Sequence, residues 1–525
     1  MKLTGKNIIG NRLSQEGDTA FYGENPATGE RLEPAFYEAS PSEINEAIEK
    51  SNRAFQYYRN KTGNEKAAFL EAVAEEILAL DSVLIARTME ESGLTEGRLT
   101  GERGRTVGQL KLFAQCLREG SWVDARIDTA DPERKPAPRP DIRSMQKALG
   151  PVGIFGASNF PFAFSVAGGD TVSAWAAGCP VVFKAHPAHP GTCELVGLAI
   201  KRAAERTDMP EGVFSMVHGR RTDIGMAIVR HPFIRAIGFT GSFSGGKALF
   251  DEANRRTVPI PVYAEMGSSN PVFILPRILK ERREKIAQEL AASVSLGVGQ
   301  FCTNPGLVFV GPSADENNFR LDLSKQFAGI SAGVMLSAGI LNNYQKGISR
   351  LESVNGVVTM ATGSGEAVLK GQARVFHSTA SVFLQKRELE EEIFGPSTLV
   401  ITTDDKQQLL QAAEQLGGHL TATIHGTEED LQEYEELVNI LEQKVGRLLL
   451  NGYPTGVEVC HAMVHGGPYP ATTDSRTSSV GTLAIHRFTR PVCYQNFPQR
   501  LLPPELKDNN PLNIWRLIDG ERRNN

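Results

Sequence analysis

The chain has 525 residues, which is too long for one hydrophobic core, so two or three domains are expected. Hydrophobic residues make up 41% and charged residues 22%, and the formal net charge of -5 gives no basic surface for nucleic acid or an acidic membrane. No apolar segment follows the N-terminal lysines and no run of about 18 apolar residues occurs, so neither a secretory signal nor a transmembrane helix is predicted. The 6 cysteines are scattered and lack a CxxC pair, which is typical of reduced thiols in the cytoplasm.

The region 41–118 is predicted to be helical. Its first segment, SPSEINEAIEKSNRAFQYYRN, opens with a Ser-x-x-Glu cap from Ser40 to Glu43, and a second helical segment ends at Gly93. The stretch 128–141, DTADPERKPAPRPD, is rich in proline and charge and is predicted to be an exposed loop or a hairpin tip.

From residue 149, short apolar runs alternate with helical segments. The runs are LGPVGIFGASNFP, CPVVFKAHP, GVFSMVHG and FIRAIGFTGS, and this alternation predicts a parallel sheet covered by helices on both faces. A second alternation begins at residue 268 and includes the long helical stretch TEEDLQEYEELVNILEQKV. The final stretch, LAIHRFTRPVCYQNFPQRLLP, suits an arm, so we predict two α/β domains and an arm.

Two segments have the composition of binding or catalytic loops. FTGSFSGGKALF places a glycine-flanked turn between an apolar strand and a helix, which suits a phosphate but also suits a plain strand–helix connection. GQFCTNPG surrounds Cys302 with small and polar residues. A cysteine in such a loop is a candidate nucleophile, although most cysteines are buried structural residues.

Six motifs in order carry a resemblance to a known family. They are SNFP at 158–161, FK at 183–184, FTGS at 239–242, EMG at 265–267, GQFC at 299–302 and EEIFGP at 391–396. With NPATGE at 25–30, the chain resembles the aldehyde dehydrogenase superfamily up to about residue 500. Such resemblance implies an α/β fold with a Rossmann-like cofactor domain, an α/β catalytic domain and a small oligomerisation arm.

The resemblance also implies domain boundaries and an assembly. The NAD(P)-binding domain would comprise 1–124 and 145–267, and the catalytic domain 268–484. The arm and C-terminal tail would comprise 125–144 and 485–525. Arms of this kind add strands to a neighbour's sheet, so a homodimer or homotetramer is expected.

The family's catalytic residues match three positions. Cys302 would attack the aldehyde carbon as a thiolate and form a thioester after hydride departure. Asn159, with the backbone N–H of Cys302, would bind the negative oxygen formed in that attack. Glu265 would activate the water that hydrolyses the thioester and could help deprotonate Cys302, and burial is expected to raise the pKa of such a base.

Further matches imply contacts with NADP or NAD. Lys184 would contact the adenosine ribose, and Ser242 would contact the pyrophosphate together with Gly241 and Gly246 of the same glycine-containing segment. Glu392 and Phe394 would hold the nicotinamide ribose and ring.

Where many NAD-preferring members have a glutamate three residues after the lysine, this chain has Pro187. The absence of that carboxylate admits the 2′-phosphate of NADP, and Arg220 and Arg221 are candidates to bind it, or are ordinary surface arginines. Two neighbouring positions also depart from the family pattern, because Ser158 replaces the usual tryptophan and GSS follows the glutamate-methionine pair where GGK is common.

A histidine pair in the C-terminal region could suggest a metal site. His461 and His465 occur in HAMVH with the spacing of ligands on a helix. Gly466, Gly467 and Pro468 argue for a loop, no third ligand is evident, and aldehyde oxidation of this kind needs no metal. No metal site is therefore predicted.

The stretch from NGYPTGVEVC to YQNFPQ is similar to the branch of 2,5-dioxovalerate dehydrogenases and their NADP-dependent long-chain relatives. The resemblance implies NADP-preferring oxidation of the small-molecule aldehyde 2,5-dioxovalerate to 2-oxoglutarate. A broad-range or long-chain aliphatic aldehyde dehydrogenase is the alternative, and a carboxylate-binding arginine would distinguish the two. An acyltransferase without nicotinamide, or a non-enzymatic protein that retains the fold, conflicts with the matches at Cys302, Glu265 and Lys184.

Overall fold

The structure is a computed structural model that describes residues 2–366 and 369–524. Residues 1, 367, 368 and 525, which belong to the predicted domains, lie outside the described residues. The described chain forms two 7-stranded sheets and one 5-stranded sheet, with helices packed around them. Within these ranges, no helix has both the length and the apolar character needed to cross a membrane.

The first 7-stranded sheet has five parallel strands and an antiparallel N-terminal hairpin at one edge. Its parallel strands are the apolar runs between residues 149 and 265, and most of their residues are buried. The predicted parallel sheet is confirmed. In spatial order the strands are Val262–Glu265, Ala236–Thr240, Val152–Phe155, Val181–Lys184, Phe214–Val217, Asn7–Ile9 and Arg12–Ser14.

The parallel strands of this sheet end in register. Thr240 pairs with Glu265, and Phe155 pairs with both Phe239 and Lys184. The loops that follow these strands therefore leave from one edge of the sheet. In open α/β folds, this carboxyl edge is where ligands bind.

The second 7-stranded sheet is also parallel, except for its antiparallel edge strand. The stretch predicted as one long helical segment is two short helices, Glu428–Glu433 and Glu435–Glu442, because Tyr434 has a non-helical φ of -107° and ψ of 30°. In spatial order the strands are Val358–Thr362, Arg374–Thr379, Ser397–Thr402, Leu307–Val310, Val272–Ile274, His419–His425 and Val445–Leu450.

A separate 5-stranded sheet joins two distant parts of the chain. Asp128 pairs with Ile142, so the proline-rich residues between them form the tip of a hairpin, as predicted. In spatial order the strands are Thr489–Gln495, Ile142–Ala148, Arg126–Asp128, Arg516–Ile518 and Glu521–Arg523. Two short strand pairs also occur, Ala20–Glu24 with Arg31–Tyr37 and Gly333–Val334 with Lys370–Gly371.

Two helix signals are confirmed, although the stretch that ends at Gly93 is two helices, Gly63–Ala79 and Asp81–Ser92. Ser40 and Glu43 form a reciprocal capping box, and Gly93 ends its helix in the left-handed conformation with φ of 66°. The α-helices are Pro41–Tyr58, Gly63–Ala79, Asp81–Ser92, Glu96–Glu119, Gly169–Ala177, Pro190–Arg206, Thr222–Arg230, Phe243–Arg255, Pro276–Ser295, Glu316–Ala328, Ala338–Glu352, Ala380–Gln385, Lys406–Gln415, Glu428–Glu433 and Glu435–Glu442.

Candidate active site

The loop that carries Cys302 is held in place by its own backbone requirements and by buried hydrogen bonds. Gly299 has φ of +65°, and a Cβ atom there would lie 2.3 Å from the backbone of Gly395, so only glycine fits. Nδ2 of Asn270 donates to the backbone oxygens of Cys302 at 2.8 Å and Asn304 at 2.9 Å. The thiol therefore has a fixed position, and Cys302 is partly exposed.

Three side chains from distant parts of the chain meet at this thiol. Nε2 of His465 lies 3.6 Å from Sγ of Cys302 and 2.9 Å from Oε1 of Glu265. The other carboxylate oxygen of Glu265 accepts a hydrogen bond from the hydroxyl of Ser479. An imidazole with its hydrogen on Nδ1 can take the proton of the thiol at Nε2, and the carboxylate 2.9 Å from that nitrogen then stabilises the positive charge of the ring.

Burial controls the protonation of the thiol. It raises the pKa of Cys302 well above its ordinary value, and the charge of Glu265 raises it further. The guanidinium of Arg105 opposes this shift. The neutral thiol is therefore the resting form near neutral pH, and forming the thiolate requires a proton acceptor such as His465.

The expectation that the pKa of Glu265 is raised was wrong. Burial by itself raises it, but the imidazole of His465, the hydroxyl of Ser479 and the charge of Arg487 together outweigh burial, and the pKa is lowered. The positive charge of a protonated His465 and the hydrogen bond from Ser479 both favour the charged form of the carboxyl group. Glu265 is consequently a buried carboxylate near neutral pH.

Asn159 lies in the loop that follows a central strand of the first sheet. Its Nδ2 donates to the backbone oxygen of Gln300 at 3.1 Å, next to the thiol loop. The same segment is anchored by Glu102, whose carboxylate accepts the backbone N–H groups of residues 162 and 163 at 2.8 and 2.9 Å. The amide of Asn159 offers a second N–H, which suits an oxygen bound beside Cys302.

A cleft of about 1080 Å³ lies at the carboxyl edge of the first sheet and reaches the thiol. Its size is that of a site for an extended ligand. The predicted site residues that line it are Asn159, Gly241, Ser242, Glu265, Cys302, Glu392 and Phe394.

The turn predicted to bind pyrophosphate lies on this cleft. Ser242 is the N-cap of helix Phe243–Arg255, and its hydroxyl accepts the backbone N–H of Gly245 at 3.3 Å. A helix N-terminus at the carboxyl edge of a parallel sheet is suited to a pyrophosphate. Gly246 does not line the cleft; it is buried, and a Cβ atom there would lie 2.7 Å from Cγ of Met266, so this glycine allows the helix to pack closely against the sheet.

Glu392 faces the cleft from the second sheet. Burial raises the pKa of its carboxyl group to about 7, although a hydrogen bond from the backbone of Ser268 opposes the shift. Its side chain lies directly over Gly267, where an added Cβ atom would be 2.3 Å from Oε2 of Glu392. The glycine after the Glu265–Met266 pair therefore makes room for this carboxylate.

The remaining predicted cofactor residues do not line the cleft. Lys184 ends a strand of the same sheet, and Pro187, Arg220 and Arg221 lie in segments that follow strands of this sheet. Lys184 is partly buried, and burial lowers its pKa to about 8. The carboxylate of Glu38 opposes this shift, which places a negative charge near the lysine that the sequence did not reveal.

Glu38 distinguishes the two arginines. One of its oxygens accepts the backbone N–H of Arg220 at 2.8 Å, and the other lies 2.9 Å from Nε of Arg221. Nε of Arg221 also lies 3.4 Å from the carboxylate of Asp223. Within residues 2–366 and 369–524, the guanidinium of Arg220 has no hydrogen bond or ion pair, so it is the arginine available to a phosphate. The sheet edge, the helix N-terminus and these cations together fit a dinucleotide.

The comparison that decides the family is with a model described as "Aldehyde dehydrogenase family", which matches residues 13–489. The chain belongs to the aldehyde dehydrogenase family. The protein is therefore an oxidoreductase that acts on an aldehyde with NAD or NADP, and the resemblance stated from the sequence is confirmed.

Two curated relatives of this aldehyde dehydrogenase match nearly the whole chain. Alpha-ketoglutaric semialdehyde dehydrogenase 2 of Azospirillum brasilense is 48% identical over 525 residues, which is 99% of this chain and 100% of that protein. Alpha-ketoglutaric semialdehyde dehydrogenase of Acinetobacter baylyi is 49% identical over 487 residues, which is 92% of each protein.

Solved structures confirm the fold of this aldehyde dehydrogenase. Betaine aldehyde dehydrogenase of Staphylococcus aureus, solved with NAD+, has a TM-score of 0.80 at 18% identity and covers 95% of this chain and 97% of its own. An NADP-dependent enzyme of E. coli has a TM-score of 0.77 at 20% identity, covering 94% and 98%. The predicted aldehyde dehydrogenase fold is confirmed.

Sequence reasoning missed the position of His465 beside the thiol. HAMVH lies in a loop, as predicted, and its two histidines separate, since Nδ1 of the exposed His461 lies 3.2 Å from Oγ1 of Thr482. The sequence showed no third ligand for a metal, but donor atoms of Glu265, Cys302 and His465 lie within 4.8 Å of one another. This geometry would also accommodate a metal ion. The absence of a metal stays a prediction. The only sequence signal for His465 was the pair of glycines that follows it, which predicted a loop rather than a helix at this residue.

Proposed function

We propose that this aldehyde dehydrogenase oxidises 2,5-dioxovalerate, which is α-ketoglutaric semialdehyde, to 2-oxoglutarate and prefers NADP to NAD. The observation that carries the substrate assignment is the 48% and 49% identity with two relatives named for this aldehyde, over 99% and 92% of this chain. By contrast, the 3-sulfolactaldehyde dehydrogenase of Pseudomonas putida is 25% identical over 415 residues.

In the proposed mechanism, Cys302 is the nucleophile. His465 takes the proton of the thiol, supported by the buried carboxylate of Glu265 at 2.9 Å, and the thiolate adds to the aldehyde carbon. Nδ2 of Asn159 and the backbone N–H of Cys302 bind the oxygen of the resulting thiohemiacetal. Loss of one such donor typically slows a reaction about 100- to 1,000-fold.

The second half of the reaction requires hydrolysis of a thioester. When bound, the dinucleotide supplies a nicotinamide that accepts the hydride expelled from the thiohemiacetal. Glu265 then takes a proton from the water that attacks the thioester on Cys302, which its position within 4.8 Å of the thiol allows.

The cofactor contacts are assigned to residues of this sheet edge and cleft. Ser242 and the helix N-terminus behind it would bind the pyrophosphate, and Glu392 and Phe394 would hold the nicotinamide ribose and ring. Lys184 would contact the adenosine ribose. The preference for NADP is supported by Pro187, which places no carboxylate beside a 2′-phosphate. It is also supported by the guanidinium of Arg220, which has no hydrogen bond or ion pair with the described residues.

We further propose that the enzyme is a homodimer or homotetramer in the cytoplasm, assembled through its arm. The ranges 1–124 with 145–267, 268–484, and 125–144 with 485–525 would be the cofactor domain, the catalytic domain and the arm. Strand Thr489–Gln495 lies at the edge of the 5-stranded sheet, where backbone groups are available to pair with another chain. Light scattering of the purified protein tests the assembly.

The alternative is a broad-range or long-chain aliphatic aldehyde dehydrogenase. It is favoured by the apolar cluster of Phe160, Phe164, Phe301 and Val480, which packs beside the thiol loop and suits an aliphatic chain. A panel of aldehydes with and without a terminal carboxylate, assayed with NADP and with NAD, distinguishes the two functions. The proposal requires the highest kcat/KM for 2,5-dioxovalerate with NADP, and a higher value for an unsubstituted aliphatic aldehyde would replace it with the alternative.

A further inference from the structure

Arg105 carries a guanidinium group whose hydrogen bonds are incompletely satisfied among the described residues. It lies on helix Glu96–Glu119, and its Nε and Nη2 atoms are buried without a hydrogen bond to any of the described residues. The group lies over the rings of Phe160, at 5.7 Å, and Phe164, at 5.2 Å. Buried guanidinium nitrogens without a hydrogen bond are costly, so these two atoms make Arg105 a candidate to bind an anion.

The same rings connect Arg105 to the reacting thiol. Phe164 lies 5.8 Å from the ring of His465, whose Nε2 contacts Cys302. Phe160 lies 5.5 Å from Phe301, the residue before Cys302. The guanidinium is also close enough to lower the pKa of the Cys302 thiol. Arg105 therefore faces the region beside the thiol, across an aromatic wall.

The carboxylate of Glu102, on the same helix, favours the charged form of Arg105 but forms no hydrogen bond with it. Glu102 uses one oxygen to accept the backbone N–H groups of residues 162 and 163, and the other to accept Nη1 of Arg98 at 2.6 Å. The Glu102 charge is thus already paired, and it forms no hydrogen bond with Arg105.

A second arginine adds positive charge to the same region. The terminal nitrogens of Arg447 donate to the backbone oxygens of Pro454 at 2.7 Å and Gly456 at 3.0 Å, which fix the side chain. Its Nε is buried without a partner among the described residues. The charges of Arg447, Arg105 and Cys302 influence one another, which indicates that the two cations lie near the thiol.

We propose that Arg105 binds the carboxylate at the far end of the aldehyde substrate, with Arg447 supplying additional positive charge. This inference rests on the proposed function, because 2,5-dioxovalerate carries a carboxylate at the end opposite its aldehyde. Phe160 and Phe164 would pack against the carbon chain between the two ends. A guanidinium group binds a carboxylate through two parallel hydrogen bonds. An unsubstituted aliphatic aldehyde has no carboxylate and cannot form them.

The test compares two five-carbon substrates, 2,5-dioxovalerate and pentanal, with the complete enzyme and saturating NADP. The measured quantity is the ratio of their kcat/KM values, which does not depend on the fraction of folded protein. Arg105→Met should lower this ratio about 100-fold, as expected for loss of a charged hydrogen bond, and Arg105→Lys should restore part of it. Arg103→Met is the matched control, since Arg103 lies on the same helix but donates to the backbone oxygen of Asp81 at 3.2 Å; its ratio should be unchanged.

A ratio that is unchanged in Arg105→Met, including the case in which kcat/KM falls equally for both substrates, would overturn the assignment of Arg105. A wild-type enzyme that prefers pentanal would contradict the proposed function instead. In that case, equilibrium binding of 2-oxoglutarate to Cys302→Ala enzyme tests Arg105 separately. The double variant with Cys302→Ala and Arg105→Met must bind 2-oxoglutarate more weakly, and the double variant with Cys302→Ala and Arg103→Met must not. Equal binding by the single variant and both double variants would refute the carboxylate site.

Discussion

Nε2 of His465 lies 2.9 Å from Oε1 of Glu265, and both side chains are buried. The same nitrogen lies 3.6 Å from Sγ of Cys302, and the pKa of this thiol is raised by burial and by the Glu265 charge. A neutral thiol reacts slowly with electrophiles, whereas a thiolate formed by a neighbouring base reacts fast. His465 and Glu265 therefore provide the base that a thiol with a raised pKa needs to form a thiolate.

Replacing His465 with glutamine should slow alkylation of Cys302 by iodoacetamide and lower kcat/KM by about 100-fold or more, because an amide cannot accept the proton. Alkylation measured across a pH series reports thiolate formation directly. His461→Gln is the matched control, since His461 is exposed and lies 3.2 Å from the hydroxyl of Thr482. Equal alkylation rates in wild-type and His465→Gln protein would show that the imidazole does not activate the thiol.

Cys302→Ala should abolish aldehyde oxidation and leave the dissociation constant for NADP nearly unchanged. The substitution removes the proposed nucleophile, while the proposed pyrophosphate and ribose contacts lie on other residues. Reduced-cofactor formation measures the activity, and protein fluorescence measures cofactor binding. Substantial turnover by this variant would rule out the thioester mechanism.

Glu265→Gln should slow thioester hydrolysis more than hydride transfer, since an amide cannot take a proton from water. A rapid burst of reduced cofactor followed by slow steady turnover is the expected time course in a stopped-flow experiment. Glu265 also contacts His465, so a second outcome has a clear meaning. If the burst itself becomes slow, Glu265 acts mainly by supporting deprotonation of Cys302, and its assignment as the hydrolytic base is wrong.

Pro187→Glu should raise the KM for NADP strongly and the KM for NAD little, because the new carboxylate would repel the 2′-phosphate. Repulsion at close range in a partly screened site is about 1 to 4 kcal/mol, or roughly ten- to thousand-fold in KM. Arg220→Ala should act in the same direction, and more strongly than Arg221→Ala, because Arg221 is already paired with Glu38. A wild-type preference for NAD by about tenfold or more would contradict the premise.

Glu392→Gln should stabilise the cofactor-free protein more at alkaline than at acidic pH. Burial raises the pKa of Glu392 from 4.5 to about 7, so the folded protein holds this proton more tightly than the unfolded chain. Stability is therefore lost as the pH rises between these two values, and glutamine does not titrate. The difference in melting temperature between variant and wild type, measured at about pH 5 and about pH 8, should grow with pH. A constant difference would show that Glu392 is already ionised when folded at low pH.

Local sequence determined the strands, the helix caps and the position of each functional loop. The apolar runs around Val152–Phe155 and Val181–Lys184 became parallel strands because fully buried strands require continuous apolar residues. Strand ends then place Glu265, Ser242 and Asn159 at one edge, since parallel strands share their carboxyl ends. Chain-local patterns of this kind do not depend on distant residues, so they could be predicted.

Tertiary structure alone decided the electrostatics of the site. His465 reaches Cys302 only because a loop far along the chain packs against it, and Glu38 meets Arg221 across a similar separation in sequence. The pKa of Glu265 is lowered, contrary to expectation, because its partners are His465 and Ser479. Burial and charge pairing depend on which distant side chains come into contact, and short-range sequence patterns contain no information about these tertiary contacts. The composition and spacing of residues therefore identified the family and its chemistry, whereas packing fixed how each acid, base and cation behaves.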